Sequence, residues 1–248
     1  MNDIDKESNI YNGAVALVDI LGYKEMLCEP IEYVKDNIID RLIETIETAN
    51  SITNRERHRF NRVSNNDEEY STKIKYMFYS DSFILYIESD NNCKINSIEN
   101  TLDSLCYALC IILDISFRNN IALRGAVSYG EFYLKKCPFI MIGKVFTELS
   151  ELEKSQKWAG IVLSEELEKF NYSNQFTVTY ATPLKCKDGD REMKVLNWVF
   201  FKANYITTTD KSIDFERCFD SDREDVRIKK ENTINFYNKM KGLNAYTI

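Results

Sequence analysis

Two aspartates stand where carboxylates could do chemistry together. Asp19 closes the apolar run GAVALVDI (residues 13–20), and Asp81 lies between two short β-rich runs, KIKYMFY and SFILYIE. The first run reads as a buried strand with a polar group at its C-terminal tip. The second pair reads as a hairpin with Asp81 at or near its tip. Neither motif sets a Lys or Arg opposite its aspartate, so two converging carboxylates repel each other unless a cation sits between them. Hard divalent cations take oxygen ligands, and Mg²⁺ is typically held by one or two carboxylates together with substrate phosphates. Behind Asp19 the chain continues Ile20-Leu21-Gly22-Tyr23, a strand-to-helix turn whose free N–H groups favour an anion. Glycine at 22 lets the backbone approach a ligand closely. Carboxylates for metal and amides for phosphate make the layout of a nucleoside triphosphate site. An aspartate that caps a helix or fills a turn has the same spacing, so neither motif is specific by itself.

These residues meet only if the elements around them fold in a suitable order. After the first strand a helical pattern of Ile31, Val34, Ile38, Ile39, Leu42 and Ile46 runs to about residue 50. Residues 51–72 are almost entirely polar and are expected to form an exposed loop carrying the single histidine, His58. Residues 96–118 are amphipathic, with Leu102, Leu105, Cys106, Leu109, Ile112 and Leu113 marking the buried face. IALRGAVSYGEFYL is a strand or a pair of strands, and IGKVFTELSELEKSQ a helix with Ile142, Val145, Phe146, Leu149 and Leu152 as its apolar stripe. AGIVLS, NQFTVTYA and EMKVLNWVFF read as strands, SEELEKF as a short helix, and roughly 220–241 as a charged helix. The class is therefore α+β: a ferredoxin-like βαββαβ core with appended C-terminal strands and helix. In that arrangement the end of the first strand lies beside the tip of the hairpin, so Asp19 and Asp81 converge at the sheet's edge. No linker divides the chain. One domain over 1–248 is expected, with a core at about 13–200 and a C-terminal extension at about 201–248.

Composition bounds the remainder. The 248 residues, 44% hydrophobic and 29% charged, suffice for a sizeable core and exclude a disordered or fibrous chain. A net charge of −7 argues against a general duplex-DNA binder. No stretch approaches ~18 uninterrupted apolar residues, and MNDIDKESN lacks the apolar segment of a signal peptide. A soluble, cytoplasmic protein with neither nucleic-acid nor membrane partner is expected. The seven cysteines (Cys28, Cys93, Cys106, Cys110, Cys137, Cys186, Cys218) show no CxxC pair, so buried reduced thiols are expected rather than zinc. A single histidine leaves little room for Ser–His–Asp hydrolysis.

VALVDILGYKEML, YSDSFILYI, ALRGAVSYGE and IGKVFTELSELEKSQKWAGIVLS, in that order and spacing, resemble the class III nucleotidyl cyclases. The resemblance runs from about 13 to 165, with a weaker tail to Trp198. It is nearest in flavour to the pyrimidine cyclases of bacterial Pycsar anti-phage systems, which make cyclic CMP or cyclic UMP. It implies that Asp19, Asp81 and the carbonyl of Ile20 hold two Mg²⁺ or Mn²⁺ ions, that Leu21, Gly22 and Tyr23 face the triphosphate, and that a head-to-tail homodimer builds the sites. Departures accompany it. Thr147 and Glu151 stand where the family carries an Asn and, four residues on, an Arg that stabilises charge on the transferring phosphate. Arg124 first and Lys185 second are the candidates for the missing cation. Met77 and Ile140 replace the Lys and Asp that read adenine, which disfavours a purine and is compatible with a pyrimidine, while Tyr76, Phe78 and Tyr79 could stack on the base. Two rivals remain open: a degenerate cyclase fold that only binds nucleotide or a partner, and a palm-type polymerase or cyclic-oligonucleotide synthase.

Overall fold

A computed structural model describes residues 9–64, 73–89, 95–135, 140–170, 176–185, 189–200 and 212–244. Strand β1 (Asn9–Ile20) begins at Asn9 rather than Gly13. Its residues Ala14, Val15, Ala16 and Val18 are fully buried. Burial of consecutive positions means that both faces of the strand are covered, which is why it reads as a continuous apolar run. β2 (Lys75–Tyr79) and β3 (Ser82–Ser89) form the expected hairpin. β4 (Leu123–Lys135) is one long strand, followed by β5 (Ile140–Ile142), β6 (Ile161–Leu163), β7 (Thr177–Thr182) and β8 (Arg191–Leu196). The sheet order is β2-β3-β1-β4-β6-β8-β7, with β5 hairpinned onto β4. Its first four strands have the ferredoxin-like order.

The helices depart from expectation in two places. α1 (Tyr23–Met26) and α2 (Ile31–Val34) are single turns, and α2 passes through a π-turn at Lys35–Ile39 into α3 (Asp40–Ser64). Residues 51–64, read from their polarity as loop, thus continue a helix that carries His58. No Gly or Pro interrupts this stretch, its Arg and Glu residues are good helix formers, and Ile52 and Thr53 are still buried. Residues 65–72 lie outside the described residues. The second departure is Ile142, which belongs to β5, is 61% exposed and takes no part in the apolar stripe of α5 (Lys144–Ser155). Gly143 turns the chain between strand and helix; a Cβ there would lie 3.0 Å from the carbonyl oxygen of Glu131.

α4 (Ile95–Arg118) buries every residue of its expected face. Ile98–Arg118 is long and apolar enough to cross a membrane by composition, yet it lies against α3 and the sheet with 72% of its most apolar window buried. Cys106 and Cys110 are free buried thiols, as is Cys218, whereas Cys28 is exposed; Cys93, Cys137 and Cys186 lie outside the described residues. The charged C-terminal segment is α7 (Glu224–Asn244), which follows the one-turn α6 (Phe215–Cys218). α7 inserts Phe236 between Trp158 and Tyr180, with ring centroids 4.8 and 4.9 Å away. The Thr233 hydroxyl accepts the Ala159 N–H at 2.8 Å, and the Asn232 side chain donates to the Lys157 carbonyl at 2.8 Å. The C-terminal helix therefore clamps residues 157–159, the turn that leads from α5 into β6.

Candidate active site

Antiparallel register builds the site. Tyr79 pairs with Ser82, Ser82 with Asp19, and Asp19 with Arg124, so one row across β2, β3, β1 and β4 carries these four side chains on one face. The next row on the same face, two residues along, is Met77, Ile84, Leu17 and Ala126. The two-residue turn Ser80-Asp81 closes the hairpin, with Ser80 in the left-handed region at φ 56°. The Ile20 N–H donates to the Asp81 carbonyl at 2.8 Å, which fastens the hairpin tip to the end of β1. The hairpin tip that carries Asp81 thus adjoins the end of β1.

Electrostatics at Asp19 are dominated by burial. Its carboxyl is raised from the ordinary 3.8 to about 6, first by desolvation and then by Glu153, with Asp81 adding a smaller push. Arg124 and a 3.5 Å hydrogen bond from the Ser82 hydroxyl act in the opposite sense. Arg124, which lies outside both motifs, brings a cation to Asp19. Its Nη2 donates to Asp19 Oδ2 at 3.2 Å, and its Nε to Glu153 Oε1 at 2.6 Å. Glu153 comes from the last turn of α5 and is 5% exposed; Arg124 is 8% exposed. Sequence reasoning missed Glu153, Ser82 and the backbone of Gln156, whose carbonyl accepts from Arg124 Nη1 at 3.4 Å.

Lys185 reaches the same corner by another route. Its N–H donates to the Ser155 carbonyl at 2.7 Å, and Leu184 bridges to Gln156. Its ammonium is exposed, yet partial desolvation and the neighbouring Arg124 lower its pKa, while Glu153 pulls the other way. The strand-to-helix turn behaves in part as expected: Gly22 is left-handed at φ 79°, a conformation that favours glycine. The Leu21 N–H is not free for a phosphate, however, because it donates to the Ala122 carbonyl at 3.0 Å, and the Leu21 side chain is buried. Tyr23 opens a helix of one turn only. A cavity of about 490 Å³ shares Leu21 and Gly22 with this turn, but neither Asp19 nor Asp81 lines it.

Two of the expected residues stand elsewhere. Ile140 pairs with Lys135 near the far end of β4, whereas Met77's row crosses β4 at Ala126. Lys135 is an odd number of steps from Arg124, so Ile140 occupies the face opposite Met77. Thr147 is exposed on α5, as are Glu151 and Lys154, while Val145, Phe146, Leu149 and Glu153 face inward. Within one protomer neither Ile140 nor Thr147 joins the row containing Asp19.

The donor set suits a hard divalent cation. Asp19 and Asp81 supply two carboxylates there, the Ile20 carbonyl is next in the chain, and the remaining carboxylate of this corner, Glu153, is engaged by Arg124. No third His, Cys, Asp or Glu completes an all-side-chain cluster among the described residues, so remaining ligands would come from backbone, water or substrate.

Neither a protein-family model nor a curated protein sequence matches this chain. Solved structures do. The catalytic core of a rhodopsin-guanylyl cyclase with converted specificity, in complex with ATPαS, is 13% identical over 77% of this chain and 98% of its own length (TM-score 0.49). An adenylyl cyclase from P. aeruginosa is 13% identical over 77% and 95% (TM-score 0.48). A bacterial light-regulated adenylyl cyclase superposes with 97% of this chain at 10% identity and a TM-score of 0.51; the chain spans 60% of that structure's length. At such identities the likeness is one of fold, and the fold is the α+β fold of nucleotidyl cyclase catalytic domains.

Proposed function

We propose that this chain is a nucleotidyl cyclase of class III type that converts CTP or UTP to the 3′,5′-cyclic monophosphate and pyrophosphate. The observation that carries the proposal is the Ile20–Asp81 backbone bond, which sets two aspartates on one edge of a cyclase-type sheet. Asp19, Asp81 and the Ile20 carbonyl hold the divalent ions, Mg²⁺ or Mn²⁺. Bound there, such ions lower the pKa of the ribose 3′-hydroxyl and neutralise the triphosphate. The 3′-oxygen bonds to the α-phosphorus as the bond to the β-phosphate oxygen breaks, so pyrophosphate leaves and the hydroxyl proton passes to solvent. Lys185 replaces Arg124 as the preferred cation for the transferring phosphate, because it is exposed beside the site whereas the Arg124 guanidinium is bound on three sides.

Met77, on the Asp19 face, offers the base no charge with which to read a purine edge, and Tyr79 is exposed one row nearer the metal. Ile140 and Thr147 meet a nucleotide only if a second copy supplies them. The proposal therefore includes a head-to-tail homodimer, with α5 of one protomer facing the aspartates of its partner. It also takes residues 1–248 as one catalytic domain, to which α7 belongs through Phe236. A role in anti-phage signalling follows from the resemblance to Pycsar cyclases. Glu151, exposed where a cyclase would present a cation, favours a second reading, a module that binds nucleotide without turning it over.

Incubation with each of the four nucleoside triphosphates and Mn²⁺, with products identified by mass, tests these readings. Cyclic CMP or cyclic UMP is expected, with a preference of roughly tenfold or more over purines. Efficient cyclic AMP or cyclic GMP formation would refute the pyrimidine assignment. Nucleotide binding without product supports the non-catalytic module, and a linear or cyclic dinucleotide supports the polymerase-like rival.

A further inference from the structure

We propose that Arg124 is a resident counter-cation of the metal site, that Glu153 is a positioning residue which holds it, and that divalent ions enter by taking over Arg124's share of Asp19. This rests on the metal reading proposed above and adds what the chain's own cation does in that site.

The contacts around the guanidinium are unequal. Nε lies 2.6 Å from Glu153 Oε1, and Nη2 also contacts the Glu153 carboxylate, whereas the single bond to Asp19 Oδ2 is 3.2 Å long. Nη1 reaches the Gln156 carbonyl at 3.4 Å. Gln156 is itself fixed, its side-chain amide donating to the Gly125 carbonyl at 2.8 Å and to the Leu152 carbonyl at 3.1 Å. Arg124 is thus anchored to the end of α5 and lends only one arm to Asp19. A forked guanidinium can surrender that arm while keeping its bonds to Glu153 and Gln156. Removing one partner of a buried charge pair is costly when the remaining charge is left alone. Here Glu153 remains for Arg124, and the incoming ion remains for Asp19, so neither is stranded. Because Glu153 draws the guanidinium away from Asp19, it favours metal binding through Arg124.

Equilibrium Mn²⁺ binding, read from the free-ion signal in electron paramagnetic resonance with no nucleotide present, tests this in a double-mutant cycle. An opposite charge within about 4–6 Å typically shifts an ionic equilibrium by one to three powers of ten, so effects of about tenfold or more are expected. Arg124→Met should tighten Mn²⁺ binding, because the competing cation is gone. Glu153→Gln should weaken it, because Arg124 then falls wholly to Asp19. In the Arg124→Met background Glu153→Gln should change the dissociation constant less than about twofold. An equal weakening in both backgrounds means that Glu153 acts by its own charge, and overturns the inference while leaving the metal site intact. Arg124→Met leaves two buried carboxylates unpaired and is expected to melt early in EDTA. Its rise in melting temperature on adding Mn²⁺ should exceed that of the wild type, and a rise no larger overturns the exchange. If the wild type binds no Mn²⁺ in a manner abolished by Asp19→Asn, the metal reading itself is refuted and the exchange with it.

Discussion

Asp19→Asn should make the metal-free protein more stable at neutral pH, although it removes a residue of the proposed machinery. Asp19 titrates near 6 in the folded chain and near 3.8 when unfolded. The folded state therefore binds the proton more tightly, and stability falls as pH rises between those values. Once both forms are ionised, the roughly two-unit difference costs the fold about 3 kcal/mol at 1.36 kcal/mol per unit. At pH 5 the folded carboxyl is still mostly protonated while the unfolded one is not, and the cost is about half as large. Asparagine carries no such cost, keeps the shape, and leaves Arg124 paired with Glu153. Urea denaturation in EDTA should give Asp19→Asn an advantage of a few kcal/mol at pH 7.5, shrinking by about half at pH 5. Excess Mn²⁺ should reverse the order, since only the wild type gains from the ion. A variant less stable than wild type in EDTA at pH 7.5, or an advantage that grows on acidification, would refute the claim that burial and Glu153 outweigh Arg124 at this carboxylate.

Other perturbations probe the supports of the site. Phe236→Ala, at a fully buried ring between Trp158 and Tyr180, should lower unfolding free energy by about 3–5 kcal/mol; a loss below about 1 kcal/mol would mean that α7 is not docked as described. Alkylation of the native protein at pH 8, mapped by peptide mass, should modify exposed Cys28 and spare Cys106, Cys110 and Cys218, the last with its thiol pushed up to about 12 by burial. Modification of Cys106 in folded protein would contradict the packing of α4. Lys185→Ala should reduce kcat by roughly 10²–10³-fold without a matching loss of stability, and unchanged turnover would move the phosphate-facing cation to another residue.

Periodicity carried most of the fold because the buried surfaces are wide and regular. α4 shows its inward stripe at every third and fourth position, and each of those positions is buried. The hairpin was legible because two apolar runs flank only Ser80 and Asp81. α3 was not, beyond residue 50, because polarity and helical propensity give opposite indications there. Arg124 was visible as a residue but not as Asp19's partner: 105 positions separate the two, and only the register of β1 on β4 makes them neighbours. Glu153 did leave a signal. It stands four residues after Leu149 on the inward stripe of α5, where an ionisable side chain requires a partner.

The same register explains why the base-reading and phosphate-facing positions could be quoted from motifs but not assembled from them. Asp19, Ser82, Tyr79 and Met77 share a face because strands repeat every two residues, so their convergence needs nothing beyond one sheet. Thr147 and Glu151 belong to the outward face of a helix whose inward face already spends Val145, Phe146 and Leu149 on the core. A helix cannot turn both faces to the same sheet. If these outward residues act on a nucleotide, that nucleotide must be held by another copy's aspartates. Glu151 would then bring a negative charge toward an already carboxylate-rich site. On the aspartate side the cation free to offset it is Lys185, which is exposed, whereas the Arg124 guanidinium is bound to Glu153 and Asp19.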